Sequence, residues 1–427
     1  MGQPGKVASL VGTSPDTVSL CPSASQGTIY NKINALRRSE EHAPKPERVR
    51  LAFVIDVIAA WNLGGTEKQL AHLVGILDRR IFEPVIFVLQ RTPAAENPHI
   101  GCPVILVSRS KSQGRLRLLR DLRSALKNFD PHIAQTFFID GTFYGTIAAR
   151  LNRVPIIIQS RRNAGHWQKL HHSFALRAIN YLVDYWQCNS RFVAGTIQRI
   201  EDIPAERISV LPNSIDLDHF APVTENERAA LRSRLGLPTD VPVFIAVATL
   251  RPVKGLIHVI EAANQIRARL PNAVFLIVGE GPQRKQLAEL ITQKGLTPTV
   301  RLVGGQEDVQ PWLAAANVGI LASHSESSSN ALLEYMAMGL SAVVSDIPAN
   351  RELVNGEFFA VGNASELADG LLRLWGQPGL RQEISRRYRE AATPYGEAFI
   401  SECARNYYAG LASPFLRTAN RGAEVKP

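Results

Sequence analysis

The sequence predicts an α/β fold of two domains, each built on a parallel sheet. Three observations lead there. The chain has 427 residues, 45% of them hydrophobic and 20% charged, enough apolar material for two cores of ordinary domain size. Short apolar runs recur along it, separated by polar or glycine-bearing loops and by segments with apolar residues at helical spacing. One stretch, Val318 to Glu352, shows the unit whole. Val318 to Ala322 reads as a buried strand, Ser323 to Ser329 as a loop, Ala331 to Met338 as a helix ended by Gly339, and Leu340 to Val344 as the next strand.

Residues 1–48 are rich in Ser, Pro, Gly and Thr without a sustained period, and read as a disordered leader. Val49 to Ile58 is the first core strand. Trp61 to Glu67 follows, then a helix carrying Leu70, Leu73, Val74 and Leu77. Gly64 and Gly65 in that turn let the backbone approach a ligand closely, and they equally suit a plain strand-to-helix turn. Val85 to Leu89, Val104 to Val107, Ile133 to Phe138 and Ile156 to Gln159 read as further strands, and Val210 to Asp216 as a strand and turn closing the first domain at about 218. Residues 219–240 are a charged, proline-containing linker. The second domain, 241–390, opens with the strand Val243 to Ala248, a helix from Leu256 to Leu270, and strands at Val274 to Val278 and Val300 to Val303. The remainder, 391–427, is expected to be a helix packing back on the first domain, and a tail.

In a parallel sheet, ligands bind outside the carboxyl ends of the strands. That puts Ser328, Ser329 and Asn330 at a helix N-terminus, where free N–H groups and the dipole attract phosphate. Glu326 lies in the loop before it and Glu334 about a turn inside, spaced E-x7-E. Among 38 acidic residues the spacing alone carries little; on a strand–loop–helix corner it carries much more. Gly279-Glu280-Gly281-Pro282 lacks the third glycine of a dinucleotide fingerprint. Asp216-Leu217-Asp218 reads as turn chemistry rather than a metal clamp, and adjacent His171 and His172 face different sides of a helix. No metal site is expected.

Four scattered cysteines without C-x-x-C suit a reducing, cytosolic setting. No apolar run reaches eighteen residues, so no transmembrane helix is expected, and the first residues lack a signal-peptide pattern. The net charge of +10 raises nucleic acid and anionic membrane as partners. Nucleic-acid signatures are missing. Arg109 to Lys127 holds seven basic residues and one acid, with an apolar stripe of Leu119, Leu122, Leu126 and Phe129. It suits a helix lying on a membrane surface or a core-packing helix with solvated arginines. Gly141 to Val183 contains no acid but six basic residues, suggesting an anionic substrate or surface, or chance basicity.

The ordered set of motifs resembles the family-4 retaining glycosyltransferases (glycosyl transferases group 1) from about Val49 to about Leu374. It comprises Gly64-Gly65, Pro212 to Asp216, Lys254-Gly255, Gly279 to Pro282, Asp308-Val309, Ser325-Glu326, Asn330 to Glu334, Met336-Ala337, Gly339 and Val343-Val344. The resemblance implies the GT-B fold, two Rossmann-like domains facing across an interdomain cleft. It also implies a nucleotide-diphosphate sugar as donor, used without metal or other cofactor. Glu334 would then bond the nucleotide's ribose and Glu326 the sugar hydroxyls. Lys254, with Arg251, would face the diphosphate, and N–H groups of Ser327 to Asn330 and Gly65 would complete its cradle, with Gly279 and Gly281 on the donor side. The expected acceptor is a glycan or lipid-linked glycan in polysaccharide or glycolipid synthesis, in the cytoplasm or peripherally at the inner membrane face. A nucleotide-sugar epimerase, a phosphorylase and a non-catalytic nucleotide-sugar-binding protein are the alternatives.

Four positions depart from the family pattern. Thr249 stands where an arginine is common, with Arg251 closer to the lysine. Ser327 and Ser214 replace glycines. Phe137 and Phe138 occupy the region of a first-domain histidine near the reaction centre, leaving Asp140, Arg161 or Arg162 as substitutes on the acceptor side.

Overall fold

The computed structural model describes residues 48–58, 65–90, 92, 100–107, 114–162 and 176–416. Gly64, His171, His172, the leader and the tail lie outside them. Two parallel sheets form, as the apolar runs predict. The first takes β1 (Val49–Ile55), β2 (Phe82–Val88), β3 (Val104–Leu106), β4 (Ile133–Thr136), β5 (Ile156–Arg161), β6 (Tyr185–Cys188) and β7 (Ile208–Val210) in the order β3-β2-β1-β4-β5-β6-β7. The second takes β8 (Val243–Val247), β9 (Val274–Val278), β10 (Val300–Gly304), β11 (Val318–Leu321), β12 (Ala342–Ser345) and β13 (Glu357–Phe359) in the order β10-β9-β8-β11-β12-β13. Parallel strands covered on both faces favour apolar runs, and β9 and β11 are apolar and buried at every position. The strand order reverses between β1 and β4 in one sheet and between β8 and β11 in the other, and a crevice opens at each reversal.

β6 and β13 are absent from the sequence expectations. Tyr185–Cys188 mixes aromatic and polar residues, and Glu357–Phe359 has three residues, so neither presents an apolar run. β5 runs two residues further than expected, which carries Arg161 into the sheet. The acid-free stretch draws its acids from beyond its end: Arg150 pairs with Asp184 at 2.7 Å and Arg161 with Glu201. The basic helix Arg115–Phe129 buries Leu122 and Leu126 against the first sheet and leaves Arg115, Arg117, Arg120 and Arg123 in solvent. Leu116 projects with them, 85% exposed. No helix among the described residues is long and apolar enough to cross a membrane.

The helix Glu397–Ala412 packs on the first sheet, where Ile400, Cys403, Tyr407, Tyr408 and Leu411 join the core around Leu51, Phe53 and Phe82. Tyr408 donates its hydroxyl hydrogen to Gln135 Oε1 on β4, which satisfies a fully buried amide. The chain meets itself at Ile215 and Gly396, joined through Ile215 N–H to Tyr395 O at 2.9 Å and Glu397 N–H to Ile215 O at 3.0 Å.

Candidate active site

The second reversal point gathers the residues singled out by E-x7-E. After β8 the chain makes a short 3-10 turn, Pro252–Lys254, and ends it at Gly255 with φ 61°. A Cβ there would lie 2.1 Å from Ala322 O, so only glycine lets this loop close on the end of β11. The contact brings Lys254 to Glu326: Nζ donates to Oε1 at 2.6 Å, and Ser323 Oγ donates to the same oxygen at 2.6 Å. Glu326 is 9% exposed and Lys254 22%. The ammonium is thus fixed at the crevice mouth. Arg251, three residues earlier, is exposed and has no ion-pair partner among the described residues.

Gly279 and Gly281 stand further off. A Cβ on Gly279 would lie 2.0 Å from Ala248 O, and one on Gly281 2.6 Å from Leu250 O. Their need for glycine comes from packing the loop after β9 on the loop after β8.

The helix Asn330–Met338 starts at Ser329, whose Oγ accepts the Leu332 N–H at 3.3 Å. First-domain groups reach its leading loop. Ser327 Oγ donates to Arg162 O at 2.9 Å and accepts from Asn189 Nδ2 at 3.0 Å. Asn213 Nδ2 donates to Asn330 Oδ1 at 2.7 Å, and Gly65 lies so close that a Cβ would sit 3.1 Å from Asn330 Nδ2. A second contact between the domains lies behind this one. Glu352 on the helix Pro348–Leu353 accepts the N–H groups of Arg191 and Phe192 at 2.7 and 2.8 Å, capping the first-domain helix Arg191–Glu201.

Glu334 lies on the buried side of its helix with Oε2 lacking any hydrogen-bond partner, as does Ser328 Oγ. Burial pushes the Glu334 carboxyl up to about 7. Lys68 on the first-domain helix pulls it down, Asp308 raises it and His219 lowers it. His219 and Asp308 are themselves joined, Nε2 to Oδ1 at 2.9 Å. An orphaned carboxylate oxygen inside a cleft calls for an incoming donor such as a hydroxyl.

The first reversal point is built differently. Asp56, at the end of β1, accepts the N–H groups of Asp140 (3.0 Å) and Gly141 from the segment after β4, and burial raises its carboxyl to about 7. Asp56 was missed in the sequence, although an acid directly after a core strand marks a strand's carboxyl end. Asp140 contributes its backbone here. Arg162 is half-buried, its guanidinium 6.0 Å from the Phe137 ring centre and donating to Asn213 Oδ1 at 3.0 Å, and desolvation lowers its pKa to about 10. Arg161 is buried beside Ser160, where Glu201 takes its charge and also accepts from Asn180. Asp216-Leu217-Asp218 closes a turn, Asp216 Oδ1 accepting the N–H groups of Asp218 and His219.

Comparison with known proteins bears on both halves. Residues 227–391 match the family model Glycosyl transferases group 1, and residues 63–219 match Glycosyltransferase Family 4. The UDP-Gal:alpha-D-GlcNAc-diphosphoundecaprenol alpha-1,3-galactosyltransferase of Escherichia coli is 30% identical over 57% of this chain and 66% of its own length. The lipopolysaccharide core biosynthesis glycosyltransferase LpsE of Rhizobium meliloti is 30% identical over 48% of this chain and 57% of its own. The matches thus span about two thirds or less of these two relatives. In structure, Anabaena Alr3699/HepE in complex with UDP superposes with a TM-score of 0.72 at 19% identity, over 86% of this chain and all of that one.

Proposed function

The chain belongs to the family-4, group 1 glycosyltransferases, and from that premise we propose that it moves a hexosyl group from a nucleotide-diphosphate sugar to a glycan or lipid-linked acceptor, with retention of configuration. The observation that carries this reading is the pair of carboxyl groups at the second reversal point, Glu326 partly buried and Glu334 buried. Glu326 holds Lys254 in position, and Glu334 offers an oxygen without a partner. In the proposed complex, Glu334 accepts from the ribose hydroxyls. Glu326 keeps Oε1 for Lys254 and Ser323 and turns Oε2 to the sugar hydroxyls. Lys254, with exposed Arg251, faces the diphosphate, and the N–H groups from Ser327 to Asn330 and of Gly65 complete the cradle.

Cleavage of the sugar C1–O bond sends its electron pair to the diphosphate. Prepositioned cations and N–H dipoles stabilise that charge as it forms. The acceptor oxygen bonds C1 on the same face, and its proton passes to the departing phosphate oxygen. With Lys254 and Arg251 supplying the positive charge, no metal is required. The relatives' names and the UDP complex support the donor and acceptor classes. Peripheral attachment at a cytoplasmic membrane face is part of the proposal. It is motivated by the exposed arginines and Leu116 of Arg115–Phe129. Flotation with anionic vesicles tests it, and absence of any preference over neutral vesicles contradicts it.

The donor site is tested by calorimetric titration with uridine, guanosine and adenosine diphosphates, repeated on Glu334→Ala. One nucleotide is expected to bind and to weaken strongly in the variant. Binding of none contradicts the proposal.

A further inference from the structure

At the end of the second sheet opposite the donor crevice lies a cavity of about 380 Å³, within the size range of small-molecule sites. It opens at the amino ends of β8 and β11, where Val241 and Asn317 line it. Arg228 and Arg232 reach it from the helix Glu225–Arg234, and Trp375 from the helix Ala364–Gly376. Spaced four apart, the two arginines project from one side of their helix.

Arg232 is 4% exposed, and its guanidinium bonds only neutral acceptors. It donates to Ala315 O at 2.8 Å, Thr239 O at 2.6 Å, Val241 O at 3.2 Å and Asn317 Oδ1 at 2.6 Å. These bonds hold the group in place, yet no carboxylate among the described residues bonds it. A buried cation is costly unless an anion shares its surroundings. Arg228 adds a second positive charge. Its Nε donates to Ala314 O at 3.1 Å, and it pairs with Glu225, which is 85% exposed and solvated. Desolvation first, and Arg228 second, lower the Arg232 pKa, as expected of a cation with too little negative charge around it. Trp375 gives the cavity a flat apolar wall. Arg381 stands over its ring at 5.5 Å and donates to Trp375 O at 3.2 Å, which steadies the indole.

We infer that this cavity is a second ligand site, taking a small phosphorylated sugar with its phosphate against Arg232 and Arg228 and its ring on Trp375. Guanidinium groups suit phosphate in both geometry and charge, and an indole face suits the C–H surface of a sugar ring. The exposed carboxylates of Glu225 and Asp240 at the rim repel a bare anion but accept hydroxyl groups, so the rim favours an anion that carries hydroxyls. Because Lys254 and Glu326 lie at the other ends of β8 and β11, a ligand here leaves the donor crevice free. The inference stands independently of the glycosyltransferase reading.

Calorimetric titration of the full chain with glucose 6-phosphate, mannose 6-phosphate, glucose and inorganic phosphate tests this. Arg228→Gln, Trp375→Leu and Lys254→Ala are titrated alongside, each first shown by its melting curve to be folded at the working temperature. At least one sugar phosphate is expected to bind the wild type more tightly than inorganic phosphate, and glucose to give no measurable heat. In Arg228→Gln the sugar phosphate weakens by about tenfold or more, and in Trp375→Leu it loses its advantage over inorganic phosphate. Lys254→Ala leaves its affinity within about twofold. Arg232 stays in place, since its removal leaves buried carbonyls without their donor and unsettles the fold. No binding of either sugar phosphate overturns the inference. So does binding lost in Lys254→Ala and kept in Arg228→Gln, which places the ligand in the donor crevice. Equal affinity for inorganic phosphate in the wild type also overturns it, since the cavity then takes a free anion and no sugar.

Discussion

The two reversal points have the same architecture and opposite chemistry. At each, a carboxylate bridges the first strand of its sheet to the strand beyond the reversal. In the second domain Glu326 reaches a cation, Lys254, and stands beside a helix N-terminus. In the first, Asp56 reaches only backbone N–H groups among the described residues, and Phe137 and Phe138 lie in the same strand-end segment. A fold fixes where a crevice opens, and the residues at the strand ends decide what enters it. Here the second crevice presents a fixed cation beside free N–H groups, and the first presents aromatic side chains.

The sharpest way to break this asymmetry is Lys254→Ala. If the second reversal point stabilises the leaving group, turnover falls about 10²–10³-fold, the scale of losing one preorganised charge donor. Steady-state transfer, or donor hydrolysis where the acceptor is unknown, reads it. The same variant frees Glu326, so Lys254→Arg should recover part of the rate if charge is what matters.

Next in size is Glu334. Replacing it with Ala removes the ribose acceptor and should weaken nucleotide binding about 10–100-fold, with calorimetry as the readout. Its pH behaviour has a definite sign. A carboxyl raised from the ordinary 4.5 to about 7 binds more protons folded than unfolded. Its contribution to stability is therefore full below about 4.5 and is lost as pH rises to about 7. Glu334→Gln, which cannot ionise, should remove that slope from a melting series.

Much of the second reversal point was legible in the sequence, and much of the first was not. Lys254 and Glu326 lie in segments directly joined to strongly apolar strands, and Asn330 to Glu334 open the helix that follows, so local pattern located them. The groups that meet them come from far along the chain. Asn189 to Ser327, Asn213 to Asn330 and Glu352 to Arg191 join residues more than a hundred positions apart, and no periodicity announces such pairs. Asn189 was further hidden because it follows β6, whose Tyr-Trp-Gln-Cys gives no strand signal. The pairing of Arg161 was hidden because its partner Glu201 lies outside the acid-free stretch. The two-sheet α/β architecture was legible because buried parallel strands must be apolar on both faces. The left-handed backbone of Phe138, φ 58°, was not, since tertiary contacts impose it.

Asp56 offers a smaller test from the first reversal point. Raised from 3.8 to about 7 by burial, it also stabilises most when protonated and loses that contribution as pH rises from about 3.8 to about 7. Asp56→Asn should flatten stability between pH 5 and pH 7 by about 1–2 kcal/mol, without altering nucleotide affinity. An equal effect on nucleotide binding would erase the distinction between the two crevices. Smallest of all is the effect of a chelator: with Lys254 and Arg251 meeting the diphosphate, EDTA should leave turnover within experimental scatter, and loss of activity restored by magnesium or manganese would contradict that.

The most direct test titrates Lys254→Ala and Phe138→Ala in parallel with the nucleoside diphosphate that the wild type binds. Affinity is expected to fall at least tenfold in the first and to stay within about twofold in the second. Equal losses in both variants, or a larger loss in Phe138→Ala, would contradict the division of charge and shape between the two domains.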